Sequence, residues 1–337
     1  MKGGGWAVKS AIGLAIGALC LYLAASQVET EELGRAFATF NPLWLIPAVA
    51  ISLAIQLMRA WRWQLELRPL ARLSFGMVWL VVATAYMFIN LLPFRLGEPT
   101  RPLLMSWKSG LEVPAIVANW ALEKTMDLAA LVFFVHLTLL LADLPQWAAR
   151  ASVVSLAAFS TMALVVVGFW RGGEAFFSKT LGRLLPPAAN HRVLTVLRSA
   201  RSGLAIIPQP RLLAMVFAQT LVLWALPILS SYVLILGFGL DLPVVAALAV
   251  FVAVGAGTAL PNPPAMIGVF QIAAVVALGL FGVPKPVALA YGIVLNAVQF
   301  ITLVAQGLVA LAFVGVGPGR LTRTTSVLGS IDPSIHR

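Results

Sequence analysis

The feature that most constrains this fold is a series of apolar stretches, each about as long as a bilayer is thick. A helix that crosses the hydrocarbon core needs about 20 apolar residues. Of the 337 residues, 61% are hydrophobic and 10% are charged, whereas a soluble protein has about 25% charged residues. The sequence therefore predicts an all-α polytopic membrane protein. Its full-length candidate spans lie at about 7–26, 42–60, 113–142, 147–170, 211–237 and 285–313.

Two further apolar regions are interrupted near their centres by proline. They cover about 75–110 and 243–283, and their central segments read LLPFRLGEP and ALPNPPAMIG. Proline lacks a backbone N–H and clashes with the preceding turn, so a helix usually ends there. Each region is therefore predicted to form two short helical arms, with the turns at Pro93 and Pro261.

The loop charges predict how these segments cross the membrane, because cytoplasmic loops carry an excess of Lys and Arg. The N-terminus, 59–72, 171–211 and the tail are basic, whereas 27–41 is acidic. With the basic segments in the cytoplasm, 75–110 must enter and leave on the cytoplasmic side. Because one full span at 285–313 separates 243–283 from the cytoplasmic tail, 243–283 must enter and leave on the outer side. Both regions are thus predicted to be re-entrant hairpins in an inner-membrane protein whose two termini are cytoplasmic.

The same order of segments, a span followed by a hairpin and a second span, occurs twice in the chain. We expect one transmembrane domain at 1–318 and a cytoplasmic tail at 319–337. Within the domain, an inverted pair of repeats is expected at about 42–142 and 211–313, joined through a basic cytoplasmic loop at 171–210. Inverted repeats with broken helices near the membrane midplane are typical of transporters. The alternative is that one hairpin consists of two short spans, which would change the topology.

The first hairpin carries polar residues suited to an anion. Arg95, Glu98 and Arg101 follow the break within seven residues, Asn90 precedes it, and Gly97 permits a tight turn. Arginine suits phosphate because its planar guanidinium donates two parallel hydrogen bonds. Charges at membrane depth indicate a functional site, so this group predicts a site for a lipid headgroup phosphate. The alternative is that these side chains face cytoplasmic water at the base of the hairpin.

A second charged group lies on the next span, in WALEKTMDLAAL at 120–131. Glu123 and Asp127 are four residues apart and therefore share a helix face. Two acids on one face need a cation between them, and Arg95 or Arg101 is expected to supply it. With Lys124, these residues are predicted to balance charge or to carry protons. The alternative is a helix start at the membrane surface, with Lys124 reaching into water.

These motifs, in this order, resemble the lysylphosphatidylglycerol synthase transmembrane region family, a flippase-like domain that also occurs as a stand-alone membrane protein. The resemblance covers about 10–315. Three elements carry it. They consist of Asn90, Pro93, Arg95, Gly97, Glu98 and Arg101; of Glu123, Lys124 and Asp127; and of Leu260, Pro261, Pro263, Gly268 and Gln271.

The chain departs from the family pattern at several positions. Lys124 stands where the family has Arg, and Ala265 and Met266 stand where it has a glycine pair. Gln271 replaces an expected acid, and Asn296 replaces an expected arginine. The last two changes resemble an ion pair that has been neutralised, which would keep hydrogen bonding without buried charge.

The resemblance implies a flippase that moves an anionic or zwitterionic lipid, or a lipid-linked precursor, between leaflets. The expected partners are this lipid and the bilayer, with no cofactor and no nucleic acid. With one cysteine and three scattered histidines, no metal site is expected. About twenty residues follow the last span, so an aminoacyl-transferase domain is not expected.

Two other functions stay open at this stage. One is an integral membrane transferase that acts on a polyprenyl-phosphate lipid through a catalytic carboxylate. The other is a non-catalytic accessory that recruits a lipid- or glycan-modifying enzyme, for example in hopanoid metabolism.

Overall fold

The computed structural model of the protein describes residues 15, 17–92, 97–141, 146–180, 186–257 and 263–314. These residues form helices and turns, and no strand occurs among them. The prediction of an all-α membrane protein is confirmed. Pro93, Arg95 and Pro261 lie outside the described residues, so their expected roles stay predictions.

Twelve helices occur in the described part of the chain. The first six are α1 (17–25), α2 (Thr30–Ala38), α3 (Leu45–Leu67), α4 (Phe75–Leu91), α5 (Thr100–Ser109) and α6 (Val113–Leu141). The others are α7 (Gln146–Lys179), α8 (Pro187–Ser202), α9 (Pro210–Gly237), α10 (Val244–Gly257), α11 (Val269–Gly279) and α12 (Lys285–Val314). Short 3₁₀ turns at Pro42–Trp44 and Pro264–Met266 precede α3 and α11.

Five of the described helical segments are long and apolar enough to cross a membrane. They are Pro42–Leu67, Val113–Leu141, Ser152–Lys179, Pro210–Gly237 and Lys285–Phe313. Each overlaps a span predicted from the sequence. At 1.5 Å per residue, even the shortest of them exceeds the hydrocarbon thickness of about 30 Å.

The two interrupted regions form pairs of short helices, as their prolines predict. In the first region α4 has 17 residues and α5 has 10. In the second region α10 has 14 residues and α11 has 11. Each arm is shorter than the roughly 20 residues that a span requires, and the two arms of each pair pack against each other. Re-entry into the membrane stays a prediction.

Gly97 lies where the first pair of arms comes closest. A Cβ added at Gly97 would lie 2.4 Å from the backbone N of Ile89 and 2.4 Å from the backbone C of Phe88. No larger residue fits at this distance without moving the backbone. Glycine therefore lets the chain pass directly beside the end of α4 before α5 begins at Thr100.

The two halves of the chain pack through matching contacts. Helices α3 and α9, which begin the predicted repeats, pack on each other. Helix α4 packs on α12, and the equivalent α10 packs on α6. This pairing packs each broken region against a long helix of the other half. The inverted orientation of the repeats in a membrane stays a prediction.

The packing also corrects one interpretation of the sequence. The basic segment 59–72 is not all loop, because α3 continues to Leu67. Arg62 and Glu66 were counted there as loop charges, yet their exposed fractions are only 2% and 1%. They lie inside the bundle, where charged side chains require charged partners.

Candidate functional site

A cavity of about 300 Å³ lies between the two halves of the molecule. Its charged lining residues come from α3, α6 and the first broken region, and they are Arg59, Arg62, Glu98, Arg101, Lys124 and Asp127. Its apolar lining comes mainly from α9 to α12 and includes Leu223, Val250, Phe251, Val254, Phe270 and Leu303. The cavity lining is therefore amphipathic.

Arg62 lies at the centre of a buried ionic cluster in the cavity wall. Its Nη1 donates to Asp127 Oδ1 at 2.6 Å, and its Nη2 donates to Glu123 Oε1 at 2.7 Å. Its Nε lies 3.6 Å from Glu66 Oε1, one turn along α3. One guanidinium thus faces three carboxylates.

Arg101 forms the second strong pair of this cluster. Its Nη1 donates to Glu123 Oε1 at 2.9 Å, and its Nη2 lies 2.5 Å from Glu123 Oε2. The guanidinium also lies over the Trp63 ring, 4.0 Å from the ring centroid. This two-point contact occupies the guanidinium edge that was predicted to hold a lipid phosphate. Arg101 is therefore placed to orient Glu123 and to anchor α5 to α3 and α6.

Asp127 connects the ionic cluster to the second half of the chain. Besides Arg62, its Oδ1 accepts from Trp224 Nε1 of α9 at 3.0 Å. Its Oδ2 lies 3.4 Å from Lys124 Nζ. The cluster contains three cations and three acids: Arg62, Arg101, Lys124, Glu66, Glu123 and Asp127. When all six are ionised their charges cancel, which suits a site shielded from water.

The predicted cation between Glu123 and Asp127 is present, but it is Arg62. The sequence assigned it to Arg95 or Arg101; Arg101 contacts Glu123, and Arg95 lies outside the described residues. Arg62 was missed because its basic neighbours suggested a cytoplasmic segment. The available signal was the spacing of Arg62 and Glu66, four residues apart on a helix that continues the apolar run.

Arg59 is a second residue that the sequence reasoning missed. It lines the cavity one turn before Arg62, and its Nη1 donates to Gln56 Oε1 at 2.9 Å. Its guanidinium lies over the Tyr86 ring at 4.3 Å from the centroid. Among the described residues, no carboxylate lies within ion-pair distance of Arg59. This guanidinium can therefore accept an anion in the cavity.

Two further described residues of the first hairpin that were predicted for the site line the cavity. Asn90 lines it, and its Nδ2 donates to the Tyr86 carbonyl at 2.9 Å. Glu98 also lines the cavity and is partly exposed. The structure thus brings Asn90, Glu98, Arg101, Lys124 and Asp127 to one cavity.

The second hairpin contributes its turn to the opposite wall. Ala265 and Met266 line the cavity and have φ angles of 56° and 53°, a conformation that favours glycine. The glycine pair that the family pattern places here would adopt it without strain. Asn296 also lines the cavity, and its Nδ2 donates to the Ala265 carbonyl at 3.0 Å.

Gln271 and Gly268 stabilise the same turn. The Gln271 Oε1 accepts from the Gly268 backbone N at 2.7 Å. Gly268 has a φ of 89°, and a Cβ there would lie 2.3 Å from the Gly17 carbonyl of α1. Pro263 precedes the turn and packs beside Gly17. The hydrogen bonds of Gln271 and Asn296 therefore go to the turn backbone, where they hold the cavity wall in place.

Comparison with known proteins agrees with this architecture. The family described as the lysylphosphatidylglycerol synthase TM region matches residues 10–307. A UPF0104 membrane protein of Methanothermobacter thermautotrophicus is 24% identical over 328 residues, which cover 91% of this chain and 96% of that protein. No solved structure matches the chain.

The fold and the cavity define a multi-pass helical membrane protein with a charged site between its two halves. The chain belongs to the lysylphosphatidylglycerol synthase TM region family. The resemblance proposed from the three sequence elements is thereby confirmed.

Proposed function

We propose that this protein moves a lipid with a phosphate-containing headgroup between the two leaflets of the membrane. The observation that carries the proposal is the cavity, which combines an apolar wall with the Arg59 guanidinium, for which no carboxylate partner occurs among the described residues. Arg59 would bind the phosphate, and the apolar faces of α9 to α12 would contact the first part of the lipid chains. The lipid is anionic or zwitterionic, since both classes carry the phosphate that Arg59 recognises.

The ionic cluster supports this role by keeping the cavity wall rigid. Because Arg62 and Arg101 are bound by carboxylates, the wall presents Arg59 as its unpaired cation among the described residues. The Arg59 guanidinium already lies over the Tyr86 ring and donates a hydrogen bond to Gln56 Oε1, so it is pre-oriented, which lowers the entropy lost on binding.

The size of the cavity indicates which part of the lipid lies within it. Sites for small molecules have volumes of about 300–1,000 Å³, so a cavity of about 300 Å³ accommodates a headgroup rather than a whole lipid. The chains would then remain in the bilayer while the headgroup crosses through the protein. This arrangement avoids placing a charged phosphate in hydrocarbon, which is the main barrier to spontaneous movement.

Reconstitution into vesicles tests the proposal. The purified protein is placed in liposomes with a phospholipid labelled on its acyl chain, and the label in the outer leaflet is quenched by an impermeant reductant. We expect the protein to expose inner-leaflet lipid faster than protein-free vesicles do. Arg59→Gln should slow this exposure by at least about tenfold, because it removes a charge-assisted contact.

Arg68→Gln is the matched control. Arg68 is an exposed arginine at the end of α3 and does not line the cavity, so its loss should leave the rate unchanged. Equal rates in protein-containing and protein-free vesicles would contradict the proposal. Chemical conversion of the labelled lipid would instead favour the transferase alternative.

A further inference from the structure

Helix α3 presents to the cavity a polar stripe that extends from Arg59 toward the start of the helix. Ser52, Gln56 and Arg59 are spaced by four and three residues, so they share one helix face. All three line the cavity. Most of a membrane-spanning helix face is apolar, and a polar stripe on it therefore indicates contact with a polar ligand or with water.

Two polar atoms of this stripe lack a partner. Ser52 Oγ and Gln56 Nε2 make no hydrogen bond within the described structure, although the two side chains are only 5% and 2% exposed. The other end of the Gln56 amide accepts from Arg59, which leaves its NH₂ group to donate elsewhere. A buried donor without an acceptor is unfavourable, so a ligand that accepts from it gains affinity.

We infer that Ser52 and Gln56 form a subsite for an uncharged, hydroxyl-bearing part of the headgroup, next to the phosphate at Arg59. A hydroxyl group suits both atoms, because its oxygen can accept from the Gln56 amide while it donates to, or accepts from, the Ser52 hydroxyl. The inference rests on the proposed function and narrows its substrate to a phospholipid with a glycerol, polyol or sugar headgroup.

The charges around the cavity disfavour a headgroup that carries a cation. Arg59 and Lys124 both line the cavity and repel an ammonium group. Asp127 is already bound by Arg62, Lys124 and Trp224. Glu98, the other acid in the cavity lining, also has an interaction partner. An ammonium group would therefore have to displace existing contacts of these acids. A hydroxyl group would instead form hydrogen bonds with Ser52 Oγ and Gln56 Nε2, which have no partner in the described structure.

Binding of short-chain lipids to the full-length protein in detergent tests this inference. The probes are dihexanoyl phosphatidylglycerol, phosphatidic acid and phosphatidylethanolamine, which share the phosphate and differ in the group attached to it. Trp120 and Trp224 line the cavity, so tryptophan fluorescence can report binding, with calorimetry as an independent measurement. We expect phosphatidylglycerol to bind about 3- to 10-fold more tightly than phosphatidic acid and phosphatidylethanolamine.

Two variants assign this preference to the subsite. Ser52→Ala and Gln56→Leu should reduce the affinity for phosphatidylglycerol to that for phosphatidic acid. The ratio of the two affinities is the readout, because Gln56→Leu also removes a contact of Arg59 that affects both lipids. Ser230→Ala and Gln219→Leu are matched controls. Each alters a buried side chain that does not line the cavity and has one polar atom without a partner among the described residues. Both should retain the wild-type ratio.

The outcomes separate this inference from the proposed function. If the wild type binds all three lipids equally through Arg59, the subsite is disproved while the phosphate site stands. The same conclusion follows if the Ser52 and Gln56 variants keep the wild-type ratio. If no probe binds, or if Arg59→Gln leaves binding unchanged, both the subsite and the phosphate site are overturned.

Discussion

Two arginines one turn apart on α3 have different roles because their surroundings differ. Arg62 is bound by Glu123 and Asp127 and approaches Glu66, whereas Arg59 has an amide and an aromatic ring as partners. A paired guanidinium stabilises the fold, and an unpaired one can bind an anion. The sequence identified Glu123 and Asp127 because acids four residues apart in an apolar helix need a cation. It did not identify Arg59 or Arg62, since nearby basic residues masked their burial.

The ionic cluster predicts a large loss of stability when Arg62 is removed. Arg62→Met leaves Glu123 and Asp127 without the cation between them, and breaking a buried ion pair in this way costs about 3–5 kcal/mol. Arg62→Lys should recover only part of this loss, because an ammonium group cannot donate to both acids in the same geometry. Thermal unfolding in detergent measures the effect.

Arg68→Met provides the comparison for this prediction. Arg68 is exposed at the end of α3, and exposed charges contribute little to stability. A melting temperature for Arg62→Met equal to that of Arg68→Met would show that the cluster does not stabilise the fold.

At the scale of helices, the broken segments were predictable and their packing was not. Proline marks both interruptions, and α4 ends at Leu91, just before Pro93 in the sequence. The sequence did not reveal that α3 continues to Leu67, because a helix end is hard to locate where apolar residues give way to mixed charged and aromatic ones. Arg62 and Glu66 lie on this additional part of α3 and are therefore buried inside the bundle.

The close approach at Gly97 predicts a position-specific effect of alanine. Gly97→Ala places a methyl group 2.4 Å from the backbone of Ile89, so α4 and α5 must separate. We expect a loss of about 1–3 kcal/mol in stability, as for overpacked cores, and weaker lipid binding because Arg101 moves with α5. Thermal unfolding and the lipid-binding measurement described above check both effects.

Gly76→Ala is the matched control for this substitution. Gly76 lies in the first turn of α4, and a Cβ added there meets no atom within 4 Å. Alanine is the better helix former by about 0.5–1 kcal/mol, so stability should stay equal or rise. Equal behaviour of the two variants would contradict the tight packing at Gly97.

At the scale of the whole molecule, the cavity lies where two chain segments with the same order of helices meet. The contacts of α4 with α12 and of α10 with α6 place one broken region against the last long helix of the other half. Sequence patterns identify the long helices and the breaks separately. Which faces meet depends on packing between residues far apart in the chain, and one sequence does not determine it.

The loop charges predict an orientation that labelling can check. In a Cys20→Ser background, which removes the one native cysteine, Glu31→Cys and Arg192→Cys each introduce one exposed thiol. The positive-inside rule places residue 31 outside and residue 192 in the cytoplasm. An impermeant maleimide should therefore label Glu31→Cys in intact cells and label Arg192→Cys only after lysis. The reverse pattern would invert the topology, and labelling of both in intact cells would disprove the assigned span order.

The central claim is that the cavity holds a lipid headgroup through Arg59, and mass spectrometry of co-purified lipids tests it most directly. Wild type, Arg59→Gln and Arg68→Gln are purified in the same detergent, and the lipids retained by each are compared with the membrane from which they came. The account predicts that one class of phospholipid is enriched in the wild type and in Arg68→Gln and is lost from Arg59→Gln. Retention of the same bulk membrane lipids by all three proteins would contradict it.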